Sequence, residues 1–134
     1  MANDFIILQI KSSRDFKEIS KSSKKFFSKT SIILTKNTAQ NYLFDQKKGR
    51  NAQDFCRIGF TVSKKVSKLA VKRNKAKRRL REIARDLAPK YCQNHQDYVI
   101  IARPQIIDSD FSVIKRDVEF CLKNLAKNFI KKDL

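Results

Sequence analysis

The sequence predicts an α+β fold: a two-layer α/β sandwich in which helices pack on one small mixed sheet, in the order α-β-β-β-α-β-α. Three observations predict it. Residues 57–62 alternate between apolar and polar, residues 98–102 form a continuous β-favouring apolar run, and two long stretches repeat apolar residues at helical spacing. A chain of 134 residues is one domain by size. Ten Phe supply material for a core, and only two Gly and two Pro interrupt it, so disorder is not expected.

Taking the elements in order, Ser12 and Ser13 can cap a short helix that begins near Arg14, with Phe16 and Ile19 facing inward. The Ser/Lys-rich run 21–29, which embeds Phe26 and Phe27, reads as a loop. Ile32, Ile33 and Leu34 mark a strand over 31–36, and a second short strand is placed at 42–45. Residues 46–54 are polar and hold Gly49, which marks a turn or loop. Along 57–62, Ile58, Phe60 and Val62 point one way and Arg57, Gly59 and Thr61 the other, so one face meets the core and the opposite face stands open to a ligand. Ala76, Leu80, Ile83, Ala84 and Leu87 stripe a helix over 70–87, which Pro89 stops. The run 98–102 is the central strand. Asp108, Ser109 and Asp110 open a last helix, whose stripe is Phe111, Ile114, Val118, Cys121 or Leu122, Leu125 and Phe129.

Charge narrows the function. Thirty-one Lys and Arg against thirteen acids give a formal net charge of +18. Self-repulsion of that size destabilises a compact chain unless a polyanion relieves it. Residues 57–85 hold twelve of the cations and one acid, Glu82, so most of the surplus is local. On the helix Arg73, Lys77 and Arg81 stack in one row, Asn74, Arg78 and Arg85 in a second, and Lys72, Lys75 and Arg79 in a third. Like charges at i, i+4 destabilise an isolated helix, a penalty that bound phosphates cancel. Lys64, Lys65 and Lys68 sit in the turn before it, where lysines and backbone N–H groups jointly face an anion. Asn74 can donate and accept among these cations, which suits a 2′-hydroxyl or a base edge.

Other classes are excluded on composition. A membrane-surface helix needs a broad apolar face with aromatics, and this helix has none to spare. The run after Asp4 is too short and acid-flanked for a signal peptide, and nothing approaches the ~20 apolar residues of a membrane span. The expectation is a soluble, cytoplasmic protein with no membrane partner. Cys56, Cys92 and Cys121 contain no CxxC pair and read as reduced thiols, and His95 reads as a surface or cap residue. Asp108 and Asp110 could hold Mg²⁺ near Asp97, but helix capping explains them more simply. No His/Asp/Glu constellation suits acid–base work, so no catalytic and no metal-ligating residue is assigned.

RIGFTVSKK at 57–65 followed by KRNKAKRRLRE at 72–82, DYVIIAR at 97–103 and SSRDFKEI at 12–19 together resemble the protein subunit of bacterial ribonuclease P, over about residues 8–128. The second motif is similar to the family's arginine-rich "RNR" helix. The resemblance implies a left-handed β-α-β crossover. It implies that Lys64, Lys65, Lys68, Arg73, Asn74, Lys75, Lys77, Arg78 and Arg81 contact a catalytic RNA subunit, which carries out the chemistry with Mg²⁺, the protein binding no cofactor itself. It implies further that a cleft between the sheet and the first helix holds the single-stranded 5′ leader of precursor tRNA, removed by phosphodiester hydrolysis. Phe16 matches an aromatic of that cleft, and Arg57, Phe26 and Tyr42 complete the expected leader-contacting set, with Phe27 as another candidate. Three positions depart from the family pattern: Lys75 replaces the last Arg of the motif and loses its bidentate fork, while Ser20 and Leu34 stand where aromatics are common. From composition alone, a ribosomal or other structural RNA-binding protein is the alternative. The whole chain, 1–134, is read as one RNA-binding domain.

Overall fold

The computed structural model describes residues 5–22, 24–38 and 54–133. The strand placed at 42–45, the residue Tyr42 and nearly all of the loop at 46–54 lie outside them. The described chain runs β1 (Ile6–Gln9), α1 (Ser13–Ser22), β2 (Lys24–Phe27), β3 (Ser31–Asn37), β4 (Phe55–Thr61), α2 (Ala70–Tyr91), β5 (Gln96–Ala102), a 3-10 turn (Pro104–Asp108) and α3 (Phe111–Asp133). The strands form one mixed sheet in the order β1-β4-β5-β3-β2. β5 is central, as its continuous apolar run predicts, with β4 parallel on one side and β3 antiparallel on the other. The class is the expected α+β.

The alternation of β4 sets the layers. Ile58 faces a large core with Ile33, Tyr98 and Ile100, closed by Ala76, Leu80, Ile83, Ala84 and Leu87 of α2 and by Ile114, Val118, Cys121, Leu122 and Leu125 of α3. The opposite face holds a smaller cluster, Ile10, Ile19, Leu34 and Val99, covered by α1. The face expected to be open at Arg57 and Gly59 is therefore roofed there, and both residues are buried. β4 and β5 are adjacent, parallel and joined through α2, because a parallel pair cannot be linked by a hairpin.

Several details differ from expectation. β1 was not foreseen; it pairs in parallel with β4 along the sheet edge. The run read as a loop at 21–29 contains the end of α1 and all of β2, which pairs antiparallel with β3. α2 passes through Pro89 to Tyr91. Pro89 is exposed, so the carbonyl it leaves without a partner is close to water, while buried Ala88 and Cys92 hold the last turn in place. The Cys92 N–H closes that turn on the Ala88 carbonyl at 2.9 Å. Phe111, expected in the α3 stripe, is exposed. Asp110 accepts the Val113 and Ile114 N–H groups through its backbone carbonyl, at 3.0 and 3.1 Å. His95 turns the chain from α2 into β5 with φ 58°, held by its N–H on the Phe55 carbonyl at 2.7 Å.

The thiols of Cys56, Cys92 and Cys121 are buried and free. A hydrogen bond with Cys56, together with burial, pushes the Cys92 thiol up, and burial likewise raises the Tyr98 phenol. The Tyr98 oxygen accepts the Gln93 N–H at 2.8 Å.

Gly59 is required by close approach. A Cβ there would lie 2.5 Å from Cζ of Phe16 and 3.3 Å from Cβ of Ile10. Gly59→Ala is expected to displace the Phe16 ring and to cost about 1–3 kcal/mol, the usual range for overpacking. In a Phe16→Ala background most of that cost should vanish; equal costs in both backgrounds, measured by urea unfolding, would show that the ring is not the obstacle.

Candidate nucleic-acid interface

α2 buries Ala76, Leu80, Ile83, Ala84, Leu87 and Ala88, and this inner stripe fixes which side chains face out. Lys72, Asn74, Lys75, Arg78, Arg81 and Arg85 are exposed, and Arg73, Lys77 and Arg79 are half-buried along the flanks. In the preceding turn Val66 is buried, anchored by its N–H on the Ser63 carbonyl at 3.0 Å. That plug leaves Lys64, Lys65 and Lys68 exposed beside the start of α2. Arg73 Nη1 donates to the Ser67 carbonyl at 2.8 Å, tying the turn to the helix. Arg79 Nη1 reaches the Ser109 carbonyl at 3.4 Å. Among the described residues, no Lys or Arg from 64 to 85 has an acidic partner; the ion pairs are Arg57 with Asp15 and Asp97, and Lys115 with Asp86. The structure thus brings all nine residues expected to face the RNA subunit onto one continuous turn-and-helix surface. Its cations are left to solvent or to a polyanion.

The residues expected around the leader divide. Arg57 is only 4% exposed. Its Nε and Nη2 donate to the two Asp97 carboxylate oxygens at 2.8 and 2.5 Å, and Nη1 donates to Asp15 at 3.1 Å. Thr38 Oγ1 adds a hydrogen bond to Asp97 at 2.8 Å. Burial alone would lower the Arg57 pKa, but the hydrogen bonds and charges of Asp97 and then Asp15 raise it above its usual value. Its fork clamps α1 to the sheet, with Nε, Nη1 and Nη2 all engaged by carboxylates. Phe26 also moves: it packs against the large core and meets the Phe120 ring edge-on at 5.3 Å, on the sheet face opposite Phe16.

Strand register shows what the α1 face offers instead. Arg57, Asp97 and Lys36 form one cross-strand row, Gly59, Val99, Leu34 and Lys25 the next, and Thr61, Ile101, Ile32 and Phe27 the third. α1 covers the first two through Asp15, Phe16 and Ile19. The third row stays half-buried at Thr61, Ile101 and Ile32 and ends on Phe27, 57% exposed. A half-buried apolar row, called the trough below, therefore runs beside Phe16 to the β2 edge and ends on the exposed ring of Phe27. Reading 21–29 as a loop hid this, because only strand parity separates two adjacent phenylalanines. On the other side of α1, Ser12, Arg14, Asp15, Glu18, Lys36 and Arg57 line a recess of about 390 Å³ with both signs of charge.

Among the described residues, no helix is long and apolar enough to cross a membrane, and no group of three His, Cys, Asp or Glu stands close enough to hold a metal ion.

Comparison with known proteins bears on this arrangement. The Ribonuclease P family matches residues 8–126. The "Ribonuclease P protein component" of Paramagnetospirillum magneticum is 40% identical over 73 residues, which is 54% of each chain, so the aligned part spans about half of that relative. The protein of the same description from Clostridioides difficile is 31% identical over 118 residues, 88% of each chain. Among solved structures, the Staphylococcus aureus RNase P protein superposes with a TM-score of 0.67 at 28% identity, covering 87% of this chain and 94% of that one. The Thermotoga maritima RNase P protein does so with a TM-score of 0.68 at 25% identity, covering 87% and 96%. The family model covers most of the chain and the Clostridioides difficile relative aligns along nearly all of it, so this chain belongs to the Ribonuclease P family.

Proposed function

We propose that this protein is the cytoplasmic protein subunit of a ribonuclease P holoenzyme, docking through α2 and its lysine turn on a catalytic RNA and holding the 5′ leader of precursor tRNA in the trough beside Phe16. The observation that carries the reading is the pairing of two unlike surfaces on opposite faces of one sheet. One is a strongly cationic helix face, interrupted only by Glu82 and suited to the phosphates of a folded RNA. The other is a narrow apolar row flanked by aromatic rings, suited to unstacked bases. In this reading Mg²⁺ is held by the RNA, which breaks the phosphodiester bond, and the protein supplies binding and orientation. Shielding of phosphate repulsion by the basic helix lowers the cation concentration at which RNA and substrate associate.

Reconstitution with the cognate RNA subunit tests it. The protein is expected to lower the Mg²⁺ or monovalent salt needed for cleavage of precursor tRNA. No change in the salt requirement would refute the reading, and co-sedimentation with ribosomes without stimulation would point to a structural RNA-binding protein instead.

A further inference from the structure

α3 engages its acids on two flanks. Towards α2, Tyr91 donates its hydroxyl to Glu119 at 3.1 Å, and Lys115 pairs with Asp86. Towards the β2–β3 turn, Asp117 accepts the backbone N–H and the hydroxyl of Thr30 at 3.1 and 2.6 Å. A third stripe remains at i, i+4, i+7 and i+11: Arg116, Phe120, Lys123 and Lys127, all exposed. Phe120 is 52% exposed, and Phe26 supports its ring from below. An aromatic ring within a row of cations is the arrangement that binds single-stranded nucleic acid, the ring stacking a base and the cations meeting phosphates. The stripe spans about 16 Å at 1.5 Å per residue, room for a short unpaired stretch. One Phe is too little apolar surface for a membrane-binding helix.

Position supplies the occupant. Phe26 and Phe27 are neighbours on β2, the edge strand of the described sheet, and point to opposite faces. The trough on the α1 face ends at Phe27, and the α3 stripe begins beyond Phe26, so only the width of β2 separates them. We propose that the precursor leader, after following the trough from Thr61 to Phe27, crosses the β2 edge and continues along α3, stacking a base on Phe120 with phosphates at Arg116, Lys123 and Lys127. This rests on the leader reading above and extends it to the distal part of the leader.

The test uses the reconstituted holoenzyme and precursor tRNAs with leaders of increasing length. Wild-type affinity is expected to rise once the leader outgrows the trough. Phe120→Ala, and separately Lys123→Glu with Lys127→Glu, should remove that gain, weakening long-leader binding about tenfold and leaving short-leader binding and cleavage unchanged. Phe120→Tyr should retain it. Lys123 and Lys127 are exposed, so thermal unfolding of their variant should match the parent, whereas Phe120→Ala loses the edge-on contact with Phe26 and should unfold slightly earlier. An intact length dependence in the Phe120→Ala holoenzyme would overturn the proposal, as would an equal loss with short and long leaders. Phe16→Ala should weaken both lengths. If it were silent the trough reading would fail on its own, so the two failures are distinguishable.

Discussion

Replacing Arg78 and Arg81 together by alanine is expected to weaken binding to the RNA subunit by roughly a hundredfold near 0.1 M salt, about tenfold for each lost phosphate contact. Both side chains are exposed and without acidic partners among the described residues. The slope of log K against log salt should become shallower by roughly 0.7–0.9 for each contact removed. Stability should change little, because Arg81→Ala relieves repulsion from Lys77 and Arg85 while Arg78→Ala gives up attraction to Glu82, each one helical turn away. A loss of affinity without a loss of stability separates a binding role from a structural one. A parallel loss of both, or an unchanged salt slope, would contradict the assignment. Arg73→Ala is a poorer probe, because Arg73 also holds the Ser67 carbonyl.

Arg57→Ala is expected to destabilise the fold by about 3–5 kcal/mol, the range for removing one partner of a buried ion pair. Asp97, 3% exposed, would keep the Thr38 hydroxyl but lose the bidentate fork. A domain of this size has roughly 5–15 kcal/mol in total, so the change would populate the unfolded state measurably in mild urea. Replacing both buried partners, Arg57→Met with Asp97→Leu, should restore much of the loss, because the one carboxylate left without Arg57, Asp15, is 35% exposed and can be solvated. If Arg57→Ala instead left stability unchanged and weakened only leader binding, Arg57 would be a ligand contact after all.

Legibility in the sequence followed the range of the interaction. α2 and α3 were readable because their apolar residues recur locally at helical spacing, and the outward-facing cations of α2 came with them, being what the buried stripe leaves outside. β4 and β5 were readable for a similar reason. β1 and β2 were not: four residues each, IILQ and KKFF, carry no alternation, and their pairing with β4 and β3 is set by tertiary contact. The trough was half-legible. Phe16 stood out by its motif, but Phe27 could be told from Phe26 only once β2 was known to be a strand. The ion pair of Arg57 was not legible, because its partner Asp97 lies forty residues away and nothing local shows that the two meet.

The crossing of α2 between β4 and β5 has a kinetic consequence. Adjacent parallel strands cannot zip from a turn; they register only after the intervening segment has closed into a loop and docked. Here that segment includes a helix of net charge +7, whose nascent turns repel one another before any core contact rewards them. The central strand pair therefore waits on the most self-repelling element of the chain. Multivalent anions that screen α2 should speed refolding at fixed urea, with phosphate more effective than chloride. The RNA proposed to dock on this helix would then serve, during folding, as the counterion that lets the strand pair close.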